Sequence, residues 1–220
     1  MSRPVVISVC DRTGNMVRPW AEAGYECWCV DLQHSIRRDR TEAVGLGLIH
    51  FVWGDVRSWR MPAECAGRVR QFFGFPPCPN LTCTAARDFQ KKGGWMLADA
   101  LQLFDACEVA AAFLGAPYMI ENPYISRLNT HRRKPDFKFH PWQYAGYLED
   151  IQTDNTQKIT GLWCGNGFVM PDFKPAPEPH RQDCWFASPS SNRADDRAET
   201  SMGFANAVFL ANRIPKALAA

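Results

Sequence analysis

The sequence lacks any apolar run of the length that crosses a bilayer, and its charges nearly balance. No hydrophobic stretch approaches the roughly 18 to 20 residues that a membrane helix needs, and residues 1–14 turn polar too early for a signal peptide. Lysine and arginine number 25 against 23 acidic residues, so the net charge of +2 gives no general attraction to polyanions. We expect a cytoplasmic protein with no membrane partner, on which any basic surface is local.

Paired Cys-x-x-Cys knuckles, which mark many structural zinc sites, are also missing. The nine cysteines are an odd number spread along the chain, which favours reduced thiols over a disulfide framework. Cys27 and Cys29 alternate within an apolar run, and we expect both to pack on one face of a strand. Cys164, His180 and Cys184 are ligand-type residues without ligand spacing. We therefore assign no metal site.

What the sequence does contain is an alternation of strand-like and helix-like segments. Runs of β-branched and aromatic residues predict five strands, over 4–10, 26–32, 48–55, 69–75 and 116–123. Helices are predicted over 16–25, 94–113 and 201–218, with a further strand within 157–171. At 220 residues, 46% of them hydrophobic, the chain is long enough for one domain, 1–220, with a sizeable core. The alternation predicts an α/β fold with a doubly wound, mostly parallel sheet.

Chemically distinctive residues follow several of these strands, where ligands bind in such sheets. Cys78 comes directly after Pro76 and Pro77, whose fixed φ angles can hold the next side chain in a set direction. A thiolate there is a candidate nucleophile. A turn containing glycine at 11–15, followed by Asp31 at the end of the next strand, suits a cofactor with ribose hydroxyls, although it is not a G-x-G-x-x-G pattern.

Each of these features has an ordinary structural interpretation when it stands alone. A single cysteine at a strand end is more often structural than catalytic, and Asp31 or Asp55 could simply cap a turn. The basic stretch within 122–143, which holds five lysines and arginines interleaved with aromatic rings, could be a solvated surface or a phosphate-binding one. Cys78, the two aspartates and Glu121 together favour a cofactor site.

Several of these segments, in their order along the chain, resemble the motif series of the cytosine-5 DNA methyltransferases. They are DRTGN, AGYE and VD within 11–31, GDV at 54–56, GFPPCPNLT at 74–82, IENP at 120–123 and GFANAV at 203–208. The chain is similar in particular to short, Dcm-like proteins of phages and mobile elements, which also resemble it over 140–147 and 200–212. The resemblance implies a class I, Rossmann-like methyltransferase fold, in a cytoplasm of bacterial host or phage origin.

The resemblance also implies roles for individual residues. Cys78 would be the nucleophile and Glu121 its acid partner. S-adenosylmethionine would be held by residues of the first loop, by the strand-end acids and by a residue of the last helix; these are Asp11, Thr13, Gly14, Asn15, Asp31, Asp55, Val56, Pro76 and Asn206. Asp31 would bind the ribose hydroxyls and Asp55 the adenine amino group.

The chemistry implied by the resemblance needs these residue types. The Cys78 thiolate adds to C6 of cytosine while a carboxyl group at N3 supports the charge shift that makes C5 nucleophilic. C5 then takes the methyl group, a base removes the C5 proton and the thiolate leaves. In duplex DNA the base must first be flipped out, at a cost of a few kcal/mol. The sequence leaves open a free cytosine nucleotide, RNA or a modified donor, and a non-catalytic DNA-binding or protective protein.

The sequence departs from the family pattern in places. Residues 121–123 read Glu-Asn-Pro where the family commonly has Glu-Asn-Val, and no clear arginine-rich motif follows. Candidates for binding the substrate base or phosphates are Asn122, Arg127, Arg132, Arg133, Lys158 and Thr160.

The interval between Glu121 and the last motif is short. Residues 122–202 must hold the remaining sheet elements as well as anything that reads DNA, so we expect only a reduced target-recognition region, at 124–200. We predict relaxed or very short sequence specificity, or compensation by a homodimer partner or a single-stranded substrate.

Overall fold

Eight strands form one mixed sheet in a computed structural model that describes residues 2–82, 93–182 and 199–214. Their order across the sheet is β3-β4-β2-β1-β5-β6-β8-β7. The strands are β1 (Val5–Val9), β2 (Glu26–Asp31), β3 (Arg40–Val44), β4 (Gly47–Trp53), β5 (Val69–Gly74), β6 (Tyr118–Pro123), β7 (Phe137–Phe139) and β8 (Thr160–Gly165).

The helices lie between and after these strands. They are α1 (Arg18–Glu22), α2 (Gly94–Leu114), α3 (Leu128–His131) and α4 (Met202–Asn212), with short 3₁₀ turns at Ala63–Cys65, Pro141–Gln143 and Ala145–Tyr147. The predicted first helix is short because Pro19 is tolerated only in its first turn and Gly24, at φ +101°, directs the chain away from the helix. The predicted last helix is described only as far as Asn212.

The five strands at the centre run parallel, in the order β4-β2-β1-β5-β6. The predicted α/β fold with a mostly parallel sheet is therefore confirmed, and the sheet is compatible with a Rossmann-like fold. Strand order reverses between β1 and β5, and that position is the topological switch point where ligands bind in open α/β sheets.

The two edge strands, β3 and β7, are not among the strands predicted from the sequence. The β3 strand pairs antiparallel with β4 as a hairpin, and β7 is a three-residue strand paired with β8, which is itself antiparallel to β6. Most residues of β3 are exposed, so it carries no buried alternation of the kind that marks a strand in a sequence. Short, polar edge strands are common in natural sheets because they discourage pairing with other chains.

Buried side chains cover both faces of the sheet. On one face, α1 and α4 pack through Trp20 and Phe204, and Cys27 and Cys29 of β2 are buried there. On the other face, α2 packs through Phe104 and neighbouring residues. Burial on both faces explains why β1 is a continuous apolar run rather than an alternating one. No helix within the described residues has both the length and the apolar character to span a membrane.

Candidate functional site

The loop after β1 is shaped by the carboxylate of Asp11. This group accepts hydrogen bonds from the Ser8 hydroxyl at 2.6 Å, from the Gly14 amide at 2.7 Å and from the Thr13 amide at 3.1 Å. Asp11 is only 5% exposed. The Cys29 thiol of β2 also lies 3.9 Å from this carboxylate. The contribution of Asp11 to a ligand site is therefore to fix the backbone of 11–15 against the sheet.

Gly14 allows this loop to approach the sheet closely. Its φ is +71°, and a Cβ atom there would lie 3.1 Å from the Phe51 ring and 3.4 Å from Cys29 Sγ. The neighbouring Asn15 side chain donates to the carbonyl of Thr200 at 3.5 Å, which joins the loop to the segment leading into α4. The positive φ and the close contact explain why glycine is needed here.

Asp31 and Asp55 end neighbouring strands or follow them closely, but they differ in their surroundings. Asp31 is 8% exposed, and its carboxylate accepts a hydrogen bond from the Gln33 amide at 2.7 Å. Burial raises the pKa of Asp31. Asp55 instead forms an ion pair with Arg57 at 2.6 Å, which lowers the pKa of Asp55. Arg57 also reaches Asp99 of α2.

A histidine that the sequence analysis left without a role supports this side of the site. The two ring nitrogens of His34 lie 3.0 Å from the carbonyl oxygen of Val52 and 3.2 Å from that of Arg12. His34 thereby connects the loop after β2 with β4 and the loop after β1. Nothing in its sequence neighbourhood signals this contact, because both partners are carbonyl groups distant in the chain.

Cys78 begins a tight turn just beyond β5. Its carbonyl accepts hydrogen bonds from the amides of Leu81 at 2.9 Å and Thr82 at 3.1 Å. Cys78 is half-buried, Pro76 is buried and Pro77 is exposed. The two prolines therefore lead from the sheet to a partly exposed cysteine just beyond the end of β5. The chain that follows, 83–92, lies outside the described residues.

Three contacts hold this turn against the end of β6. The Asn122 side chain donates to the Pro76 carbonyl at 2.9 Å, the Arg127 amide donates to the Leu81 carbonyl at 2.7 Å, and Thr82 forms an isolated bridge with Ser126. Asn122 is 2% exposed. The structure thus brings the Cys78 turn and the Glu121 strand together, as a site that uses both would require.

The Glu121 carboxyl lies in a largely buried position beside Lys158. Its side chain is 11% exposed, and Lys158 Nζ lies 3.6 Å from Glu121 Oε1. Burial raises the pKa of Glu121; Lys158 opposes that shift and the charge on Asp11 adds to it. Burial thus shifts Glu121 toward the protonated form, in which a carboxyl can donate a hydrogen bond, while Lys158 acts in the opposite direction.

Most of the other candidate substrate-binding residues contact groups other than Glu121. Arg132 pairs with Asp105 of α2 at 2.6 Å, and Arg133 pairs with Glu108 and Asp136, so neither is among the groups that face Glu121. Thr160 is buried, and its hydroxyl donates to the carbonyl of Lys158 at 3.3 Å. Of Arg132, Arg133 and Lys158, it is Lys158 that lies beside Glu121.

Two candidates for cofactor contact lie at the margins of this site. Asn206 of α4 donates to the carbonyl of Tyr147 at 3.3 Å. Val56 is partly buried against the α2 face of the sheet. Within the described residues, no three His, Cys, Asp or Glu side chains are grouped so that they could hold a metal ion. Cys184 lies outside those residues.

A scan against protein-family models finds no family that matches this chain, and a search of curated proteins finds no relative.

Proposed function

We propose that this protein is a DNA (cytosine-5-)-methyltransferase that uses S-adenosylmethionine and a covalent Cys78 adduct. The observation that carries the proposal is the junction of the Cys78 turn with the end of β6, made by the Asn122 to Pro76 hydrogen bond. It joins the turn that carries Cys78, just beyond β5, to the strand β6 that carries the raised-pKa carboxyl of Glu121, and both strands lie next to the switch point. The motif order in the sequence supports the same assignment.

The residues beyond β1, β2 and β4 suit a nucleoside-containing cofactor. The 11–15 loop has a fixed backbone that comes close to the sheet at Gly14. Among the described residues the buried Asp31 carboxylate accepts from the Gln33 amide, and its other lone pairs could accept from ribose hydroxyls. Asp55 is held by Arg57, and it would reach an adenine amino group only with the lone pairs that Arg57 leaves. The bound cofactor supplies the sulfonium methyl group.

The protein's own residues would perform the remaining steps. The Cys78 thiolate forms a bond to C6 of cytosine, and a protonated Glu121 donates to N3, so the ring electrons move toward C5. Lys158 lies beside Glu121 and would hold its carboxyl in position and balance its charge when it ionises. After the methyl group joins C5, loss of the C5 proton to a base and departure of the Cys78 thiolate restore the ring.

DNA containing 5-fluorocytosine tests the proposal directly, because fluorine at C5 cannot leave as the proton does and the adduct remains. Incubation with S-adenosylmethionine should give a covalent complex whose cross-linked peptide, by mass spectrometry, contains Cys78. Cys78→Ser should form no adduct and transfer no methyl group while still binding cofactor. The matched control is Cys164→Ser, which changes another half-buried thiol. Cys164 lies at the end of β8 that pairs with the start of β6, away from Glu121, and its variant should behave as the unchanged protein.

A parallel incubation with the free nucleotide tests the alternative substrate. An adduct that forms with the nucleotide but not with DNA would identify the free nucleotide as the substrate in place of DNA. Absence of an adduct with either, together with no methyl transfer to ordinary cytosine, would refute the proposed function.

A further inference from the structure

Three planar rings lie stacked near the Glu121 end of the sheet. The ring centroids of Trp142 and His180 are 4.1 Å apart with an interplanar angle of 9°, and those of His140 and Trp142 are 6.2 Å apart at 24°. All three residues are partly exposed, and Trp142 belongs to neither hydrophobic cluster of the core. We call His140, Trp142 and His180 the ring stack. Its exposure distinguishes it from the buried aromatic pairs of the fold.

The register of the sheet places the ring stack on the same edge as Glu121. Pro123 at the end of β6 pairs with Thr160, and Thr160 pairs in turn with Phe139 at the end of β7. His140 follows Phe139 directly. Since only β8 separates β6 from β7 and neighbouring strands lie about 4.8 Å apart, the ring stack begins about 10 Å from the strand that carries Glu121.

The segment 155–158 connects the ring stack to Lys158. The Trp142 amide donates to the Thr156 carbonyl at 3.3 Å, and the Gln157 amide donates to the Arg181 carbonyl at 2.8 Å. The side-chain oxygen Oδ1 of Asn155 lies 2.8 Å from His180 Nδ1. Lys158 then follows and reaches Glu121. One short segment therefore positions both the rings and the cation beside the candidate catalytic acid.

The chemistry of this region suits an unpaired nucleobase. Partly exposed aromatic rings together with nearby cations are the usual elements of sites that bind single-stranded nucleic acids, because every base offers a flat face. Lys138 is exposed and lies above the Tyr124 ring at 5.3 Å, on the strand that leads into the ring stack. Burial lowers the pKa of His140, and the neighbouring His180 and Lys138 add to that shift, which favours the uncharged ring.

We propose that the ring stack is a base-stacking platform for single-stranded DNA that holds a nucleobase beside the target cytosine. A distance of about 10 Å from β6 corresponds to a nucleobase one or two positions from the target cytosine along the bound DNA. Bases inside a duplex keep their faces covered by neighbouring pairs, so the platform selects unpaired DNA. The identity of the target base rests on the proposed function, whereas the binding of single strands does not.

The test compares binding of a short cytosine-centred single strand with binding of its duplex, by fluorescence anisotropy on the full chain without cofactor. His180→Ala and Trp142→Leu should each weaken single-strand binding about 5- to 100-fold, as expected for the loss of one stacked base. Their duplex affinity should change less than twofold. Trp142→Phe keeps a ring and should retain most of the affinity. His131→Ala, an exposed histidine outside the ring stack, is the control and should have no effect.

Several outcomes would overturn the platform. One is an unchanged affinity of His180→Ala for single strands, with an unchanged circular dichroism spectrum. Another is an equal loss of affinity for single strands and for duplex. If Trp142→Leu does not fold, His180→Ala and the ring-retaining Trp142→Phe still decide the matter. Single-strand binding that depends on the rings, with no 5-fluorocytosine adduct, would leave the platform intact and refute the methyltransferase proposal. A 5-fluorocytosine adduct, together with single-strand binding that does not depend on the rings, would support the methyltransferase proposal and refute the platform.

Discussion

Two groups of loops reach the carboxyl edge of the sheet, and they are held in place differently. After β1, β2 and β4, each strand-end acid binds within its own loop: Asp11 to Gly14, Asp31 to Gln33 and Asp55 to Arg57. After β5 and β6, the holding contacts join distant parts of the chain. Asn122 and Pro76 are 46 residues apart, and Glu121 meets Lys158 from the segment that precedes β8.

This difference bears on how each half of the site forms. A loop bound by its own aspartate loses conformational freedom locally, so short-range hydrogen bonds shape each loop of the candidate cofactor side. His34 and Asn15 then join these loops to distant segments. The Cys78 and Glu121 side takes shape only when β5, β6 and β8 have paired in register. We therefore expect mutations on that side to affect the relative position of reacting groups more than the loops themselves, and mutations on the cofactor side to do the opposite.

The largest effect should come from Asn122→Ala, which breaks the contact between the Cys78 turn and β6. The Pro76 carbonyl loses its donor in a buried setting, which costs about 1 to 3 kcal/mol of unfolding free energy. Misplacement of reacting groups by about 1 Å can reduce turnover roughly 100-fold, and we expect a loss of this order in methyl transfer to DNA. Chemical denaturation and a methyl-transfer assay measure the two effects.

Asn129→Ala is the matched control for this prediction. Its side chain donates to the Tyr124 carbonyl at 2.7 Å, a bond of the same kind that lies beyond the Cys78 junction. Turnover should stay within a few-fold of the original value. Equal losses of turnover in the two variants would show that the Cys78 junction has no special role.

A smaller effect should come from Gly14→Ala on the cofactor side. The positive φ costs an alanine about 1 kcal/mol or more, and its Cβ would press on the Phe51 ring. We expect about 2 to 3 kcal/mol of lost stability and at least a tenfold weaker binding of S-adenosylmethionine, measured by calorimetry, because the 11–15 backbone must shift.

Gly67→Ala separates the two causes. Gly67 has a similar φ of +74°, but a Cβ there meets nothing within 4 Å. Its variant should lose only the conformational part of the stability and keep its cofactor affinity. If Gly14→Ala and Gly67→Ala were equally stable, and equally good at binding cofactor, close packing at Gly14 would not matter.

The smallest effects should appear in the pH dependence of stability, with opposite signs for the two groups of loops. The pKa of Glu121 is raised in the folded state, so the folded protein binds more protons than the unfolded one and stability falls as pH rises above about 4.5. Glutamine does not titrate. The melting temperature of Glu121→Gln relative to the original protein should therefore increase between about pH 4 and pH 8.

Asp55 gives the opposite sign. Arg57 lowers the pKa of Asp55 in the folded state, so its stabilising contribution is present above the ordinary aspartate pKa and is lost as pH falls through the lowered value. Asp55→Asn should be less stable than the original protein near neutral pH, by under about 1 kcal/mol because this ion pair is partly exposed. The deficit should vanish in acid. If the stability of both variants relative to the original protein changed with pH in the same direction, the assigned surroundings of Glu121 and Asp55 would be wrong.

Much of the central sheet could be predicted because its signals are local. Apolar runs mark β1, β2, β4, β5 and β6, and the positions of Cys78 and Glu121 beyond β5 and within β6 follow from them. Edge strands β3 and β7 could not be found, since an exposed or three-residue strand has no hydrophobic pattern to read. Their pairing depends on partners elsewhere in the chain.

By itself, therefore, the sequence determined where the strands and the chemically capable residues lie along the chain. The tertiary structure decided which of them meet. Lysine and arginine are equally plausible beside a carboxyl group in a sequence, yet Arg132 and Arg133 pair with acids of α2 or next to β7, while Lys158 reaches Glu121. The physical reason is that ion pairs and side-chain hydrogen bonds depend on strand order and register, and both arise from contacts between residues far apart in the chain.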